Sequence, residues 1–195
     1  MSDVEATKII SPLTESNIRL FLDRLYKKLK GPSAKYIGKY RGGRVYAFGD
    51  LQVGYVVLVD EDGDIVYFVR HKRVSHNALR LGRQVLLWRH SGSLISYGFA
   101  QHIFFDYLLP EYGALISDKE QTRDGKRFWS NAIAHALDLK KKVYFLDRRY
   151  NSNTLHPIES SRDVKRYEND IWGTKAQHIY TFAVISNQEL TLKGN

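Results

Sequence analysis

Strand and helix patterns alternate without a break from Gln84 to Asp147, and no other feature constrains the fold as tightly. Gln84–Arg89 reads as a strand, Leu94–Leu109 as a helix and Gly113–Asp118 as a second strand. Thr122–Leu137 follows as a second helix and Val143–Asp147 as a third strand. This order predicts neighbouring strands covered by helices. It also predicts a strand-to-helix loop, Arg89 to Tyr97, where the unpaired N–H groups of a helix start would face a phosphate-bearing ligand.

The flanking segments complete one α+β domain, residues 1–195, with Met1 to Ile10 loose. Ser11-Pro12 opens a helix that runs to about Lys30, where Gly31-Pro32 stops it. Ile18, Leu22, Leu25 and Leu29 share one face of that helix. A meander follows. Tyr36–Tyr40 and Val45–Phe48 flank a Gly42-Gly43 turn, and Val53–Val59 and Ile65–Val69 flank a turn centred on Asp62-Gly63. Tyr55 to Val59 is apolar on both faces, so that strand is expected to be central. Ser161–Ile171 reads as a helix and His178–Ile185 as the last strand.

Charge narrows the partners. Thirty Lys and Arg against 21 Asp and Glu give a net charge of +9, which favours nucleic acid or another polyanion. The chain has no cysteine, which excludes disulfides, a thiolate nucleophile and zinc–thiolate sites. No segment has the apolar length of a membrane span, and Met1 to Ile10 lacks the pattern of a signal peptide. The expected setting is therefore cytoplasmic, without a membrane partner.

Several clusters carry potential chemistry. Arg89-His90-Ser91-Gly92-Ser93 offers hydroxyls, a glycine and cations just before a helix. Those groups would hold a pyrophosphate; equally, Ser91 or Ser93 would simply cap the helix. No Walker or dinucleotide-binding glycine pattern is present. Ser117 and Asp118 end a strand, where Asp118 would serve as a general base or, with Gln121, as a capping box. The seven histidines have no recognised metal spacing, so no metal is expected; His102 and Asp106 stand four apart on one helix. Asp60 to Asp64 has the wrong spacing for calcium and reads as a turn. Basic residues gather at Arg70, Lys72 and Arg73, with His76, Arg80 and Arg83 nearby. Lys140, Lys141 and Lys142 precede the third strand of the alternating section, and Arg148 and Arg149 follow it. Such clusters, with Tyr67, Tyr150 or Trp172 for stacking, would track a phosphate backbone; each would equally serve as solvated surface.

The succession of elements over about Tyr36 to Ser186 resembles the GCN5-related N-acetyltransferase (GNAT) fold, and is similar to GNAT-like proteins encoded by bacteriophages. The resemblance implies a mixed, largely antiparallel central sheet flanked by helices. It further implies acyl-coenzyme A bound between two splayed strands, with the pyrophosphate on the following loop and helix. The family's pyrophosphate motif is Gln/Arg-x-x-Gly-x-Gly/Ala. Gly98-Phe99-Ala100 matches its end, Ile95 occupies its first position, and the cationic role then moves to Arg89. Cofactor contacts would come from Arg89, Ser91, Gly92, Ser93, Gly98 and Ala100. Asp118 would take a proton from the acceptor amine, and Tyr144, or alternatively Tyr97, would protonate the leaving thiolate. The amine would belong to a nucleic acid or a protein. The alternative is a non-catalytic factor on the same scaffold, binding nucleic acid or a host protein.

Overall fold

The computed structural model describes residues 15–74, 82–90, 92–117, 123–149, 154–172 and 180–191. The protein is α+β, with mostly antiparallel strand pairing. It divides into two compact units: Met1–Arg73 with Val85–Ile103, and Val74–Gln84 with Phe104–Asn195.

The first unit contains helix α1 (Glu15–Leu29) and strands β1 (Lys35–Tyr40), β2 (Gly43–Gly49), β3 (Val53–Val59) and β4 (Ile65–Arg73). Strand β5 (Arg83–Arg89) contributes all but its first two residues. The Ser11-Pro12 helix start expected from sequence lies outside the described residues. Leu25 of α1 is buried with Phe48, Val57, Val59, Ile65, Phe68 and Leu86; Leu22 and Leu29 pack at the edge of this cluster. Tyr26 secures the helix further, since its hydroxyl accepts the Ile65 N–H at 2.8 Å and donates to Asp64 at 3.1 Å. Strand β3 lies between β2 and β4, and Val56, Val57 and Leu58 are fully buried. The double-sided apolar pattern thus marked a central strand correctly.

The first hairpin turn differs from the sequence reading by one residue. Tyr40 pairs with Gly43, so the turn is Arg41-Gly42, with φ of 46° and 88°. Both values suit a type I′ turn. Gly43 belongs to β2 for a packing reason: a Cβ there would stand 2.8 Å from Leu58 and 3.0 Å from Ile95. A bulge between Tyr36 and Gly38 shifts the register of β1 by one. Side chains alternate faces, so the shift puts Tyr36 and Tyr40 on opposite faces of the sheet.

The second unit contains the start of β5, then β6 (Ala114–Ile116), β7 (Lys142–Asp147), β8 (Thr154–Pro157) and β9 (Thr181–Ser186). The order there is β5-β6-β9-β7-β8, and β5–β6 is parallel through two pairs, Arg83 with Leu115 and Gln84 with Ile116. Every residue of β9 is buried. Helix α2 (Phe99–His102) begins in the first unit; a π-helical turn (Ile103–Leu108) and α3 (Leu109–Tyr112) continue it. Helix α4 (Arg123–Asp138) buries Trp129, Ala132, Ile133 and Ala136, with Phe104 edge-on to Phe128 and Trp129. Lys140 takes a left-handed φ of 55° after α4, and the Lys140 and Lys141 N–H groups close onto Leu137 and Ala136. This is a Schellman stop with lysine where glycine is usual.

Arg149 joins β7 to helix α5 (Ser161–Trp172), meeting Asp147 through two nitrogens and Asp170 at 2.7 Å. The Arg149 hydrogen bond holds the Asp147 carboxyl below its ordinary value of 3.8, against a smaller opposing effect of burial. A depressed folded-state pKa stabilises above the unfolded value and loses that contribution as pH falls through the folded one. Arg149→Met is therefore expected to cost about 1–2 kcal/mol at pH 7. Its urea midpoint should also decline less than the wild type's as pH falls below 3.8. Parallel declines would show that Asp147 is not the titrating group.

Candidate functional site

The loop after β5 is built from successive tight turns. The His90 N–H donates to the Val66 carbonyl at 3.0 Å, which fixes the loop's start to β4. The Ser96 hydroxyl donates to the Ser93 carbonyl at 2.7 Å, and the Tyr97 and Phe99 N–H groups donate to Leu94 and Ser96. Gly92 and Gly98 have φ of 119° and 75°. The left-handed Gly98 explains why the helix begins at Phe99 and not at Leu94: the Tyr97 and Phe99 N–H groups close turns onto Leu94 and Ser96. Leu94 is 76% exposed, as a loop residue and not as part of a buried helix face.

Gly98 occupies the N-cap, and no side chain caps this helix. Ser93 therefore does not have the simple capping role. The first-turn N–H groups of Ala100 and Gln101 precede any intrahelical acceptor. Ala100 is buried and small, whereas Arg89 is exposed, with its guanidinium 5.1 Å over the Tyr97 ring. Ile95 turns toward the sheet near Gly43, which leaves Arg89 as the cation at the end of β5.

Three aromatic residues that sequence reasoning did not combine line this region. Tyr40 donates its hydroxyl to the Tyr97 carbonyl at 2.7 Å and stacks on His102 at 5.0 Å. Tyr40 and Tyr67 both meet the Phe99 ring edge-on. Tyr67 is 7% exposed. Burial pushes that phenol far above its ordinary value, while the nearby Arg89 charge opposes the shift. A hydroxyl donor beside a cation suits an anionic or carbonyl oxygen. The local sequence signal for Tyr40 is its place next to a hairpin turn; Tyr67 had appeared only as a stacking candidate.

The proposed catalytic residues have different settings. Asp118 and Ser91 lie outside the described residues. Tyr144 is buried on β7 beside Ala114, Leu146 and Phe182, and its hydroxyl accepts the Leu190 N–H at 3.1 Å. Tyr97 is 53% exposed on the loop itself. Ser117 is part of the framework: its hydroxyl accepts the Ala183 N–H at 3.0 Å, and its N–H donates to the Ala183 carbonyl.

The described basic residues have different settings within each unit. Arg70 and Lys72 share the α1-side face of β4 with Phe68, and Arg70 pairs in register with Tyr55. Lys28 lies 5.5 Å over the Tyr55 ring, and the buried Arg70 Nε has no partner. Arg73 is exposed at the end of β4, while Arg83 is buried against Tyr112, 4.2 Å from the ring centroid. Lys140 and Lys141 precede β7 and Arg148 follows it, about 23 Å away along an extended strand. Arg80 lies outside the described residues.

Among the described residues no group of three or more His, Asp or Glu is arranged to hold a metal ion. No helix there is long and apolar enough to cross a membrane. Comparison with protein-family models, curated proteins and solved structures finds no match.

Proposed function

We propose that this chain is a GNAT-like acyltransferase that moves an acyl group from acyl-coenzyme A to an amine on a nucleic acid or protein. The loop ending at left-handed Gly98, with Arg89 at its strand end and small Ala100 in the first helical turn, is the observation that carries this reading. Limited parallel pairing between β5 and β6 supports it, as does the order of elements. Arg89 would offset pyrophosphate charge, while Gly92, Ser93 and the first helical N–H groups accommodate its oxygens. The amine nitrogen would attack the thioester carbon and Asp118 would take its proton. The carbon–sulfur bond then breaks, and the leaving thiolate receives a proton from a tyrosine. Tyr97, exposed on the loop, suits that donor role better than Tyr144, which is buried beside Ala114, Leu146 and Phe182. Calorimetry with acetyl-coenzyme A and longer acyl homologues should detect binding. Arg89→Gln should weaken it about tenfold, the loss of one charge-assisted hydrogen bond. Absence of binding by every acyl length overturns the reading.

The second reading is a non-catalytic, phage-type factor that binds nucleic acid or a host protein. Its support is the unpartnered Arg70 Nε beside Lys72 and the Lys28–Tyr55 pair. A gel-shift titration should show salt-dependent nucleic-acid binding that weakens when Arg70, Lys72 and Arg73 are neutralised. Equal affinity in that triple variant removes this patch as the binding surface.

A further inference from the structure

A second basic surface lies at the other face of the first unit, where two arginine–tyrosine pairs meet. Arg41 projects from the β1–β2 turn with its guanidinium 5.6 Å over the Tyr40 ring. Arg89 covers Tyr97 at 5.1 Å, and the Tyr40 hydroxyl bonded to the Tyr97 carbonyl joins the pairs. His102 stacks on Tyr40 and Phe99 meets it edge-on, so with Arg41 that ring is well covered. Tyr97 remains 53% exposed despite its arginine.

The backbone adds an independent observation. Arg41 holds a left-handed φ of 46° in a turn position that favours glycine or asparagine. The strained residue is also an exposed cation at the tip of the hairpin, a placement that suits recognition more than turn formation. The Glu61 carboxylate lies 3.4 Å from where a Cβ on Gly42 would stand and offsets part of the positive charge. Both arginines are exposed nonetheless.

We propose that this surface binds single-stranded nucleic acid, with an unpaired base stacked on Tyr97 and neighbouring phosphates on Arg41 and Arg89. A phenol ring accepts any base, and flanking guanidiniums follow a phosphate backbone. Duplex bases are stacked on one another and do not offer a free face to the ring. The excess positive charge of the chain favours the encounter. Neither the acyl-transfer reading nor the Arg70 face is required.

Fluorescence anisotropy with a labelled ten-nucleotide uridine strand, measured on the full chain without coenzyme between 50 and 200 mM salt, tests this surface. Tyr97→Ala should weaken binding about 5- to 150-fold, whereas Tyr97→Phe should stay within about twofold. Arg41→Gly is the discriminating change: it relieves the turn and removes the charge, so thermal stability should rise while binding falls. Its log–log salt slope should decrease by about 0.7. Unchanged affinity in Tyr97→Ala, an unchanged slope in Arg41→Gly or equal affinity for duplex overturns the proposal. Binding to anionic phosphatidylserine vesicles with none to the strand also overturns it. Because Arg41 has no role in the coenzyme reading, failure here leaves the calorimetric test of that reading intact.

Discussion

Phe99→Ala is expected to lower the unfolding free energy by about 3–5 kcal/mol, a large share of an ordinary domain's total. Phe99 is fully buried, and its ring meets Tyr40 at 5.3 Å and Tyr67 at 5.2 Å, both edge-on. Truncation removes both contacts and leaves a cavity below the residue that starts the helix. The two tyrosines would lose the surface that orients them, so ligand binding should decline along with stability. Phe99→Leu keeps much of the volume and should cost clearly less, which separates cavity formation from the ring contacts. Urea denaturation followed by tryptophan fluorescence supplies the measurement. A lower midpoint at constant slope is the expected result, and a loss below about 1 kcal/mol would mean that the site collapses around the deletion.

Burial was the property most legible in the sequence. Tyr55 to Val59 marked a central strand because apolar residues on both faces leave solvent no side to occupy, and Val56 to Leu58 are fully buried. In α4 the apolar spacing from Phe128 to Leu137 predicts one buried face; Ala132, Ile133 and Ala136 are buried with Trp129, whereas Phe128 and Leu137 are only half-buried. Backbone handedness was less legible. The Leu94–Leu109 reading followed apolar periodicity into a turn-rich loop, since periodicity carries no information about the sign of φ at Gly98. The helix also runs on past Pro110, which falls in the first turn of α3 directly after the π-helical turn. A proline without an N–H is tolerated at such a junction. Short β8 was missed because Thr154 to Pro157 has only a partly buried centre and ends in proline. At the site, Arg89 and the glycines were visible as a local motif. Tyr40 was not, because the bulge before Gly38 and a contact 57 residues along the chain bring it there.

Gly98→Ala should abolish or severely weaken ligand binding at this loop, at a stability cost of about 2 kcal/mol or more. Two separate effects contribute. Any L side chain at φ 75° carries backbone strain, and a Cβ at this position would stand 2.9 Å from the Tyr40 hydroxyl. That hydroxyl is held by the Tyr97 carbonyl at 2.7 Å, so moving it disturbs the loop itself. Gly92 supplies a control because its φ is 119° but, among the described residues, nothing lies within 4 Å of its Cβ position. Gly92→Ala should therefore show backbone strain without displacing Tyr40. A double-mutant cycle of Gly98→Ala with Tyr40→Phe isolates the steric part, since removing the hydroxyl opens the space that the methyl needs. The double variant should be more stable than the sum of the single losses allows, by about 0.5–1 kcal/mol. Strict additivity would assign the glycine to backbone conformation alone and remove Tyr40 as the element that shapes the loop.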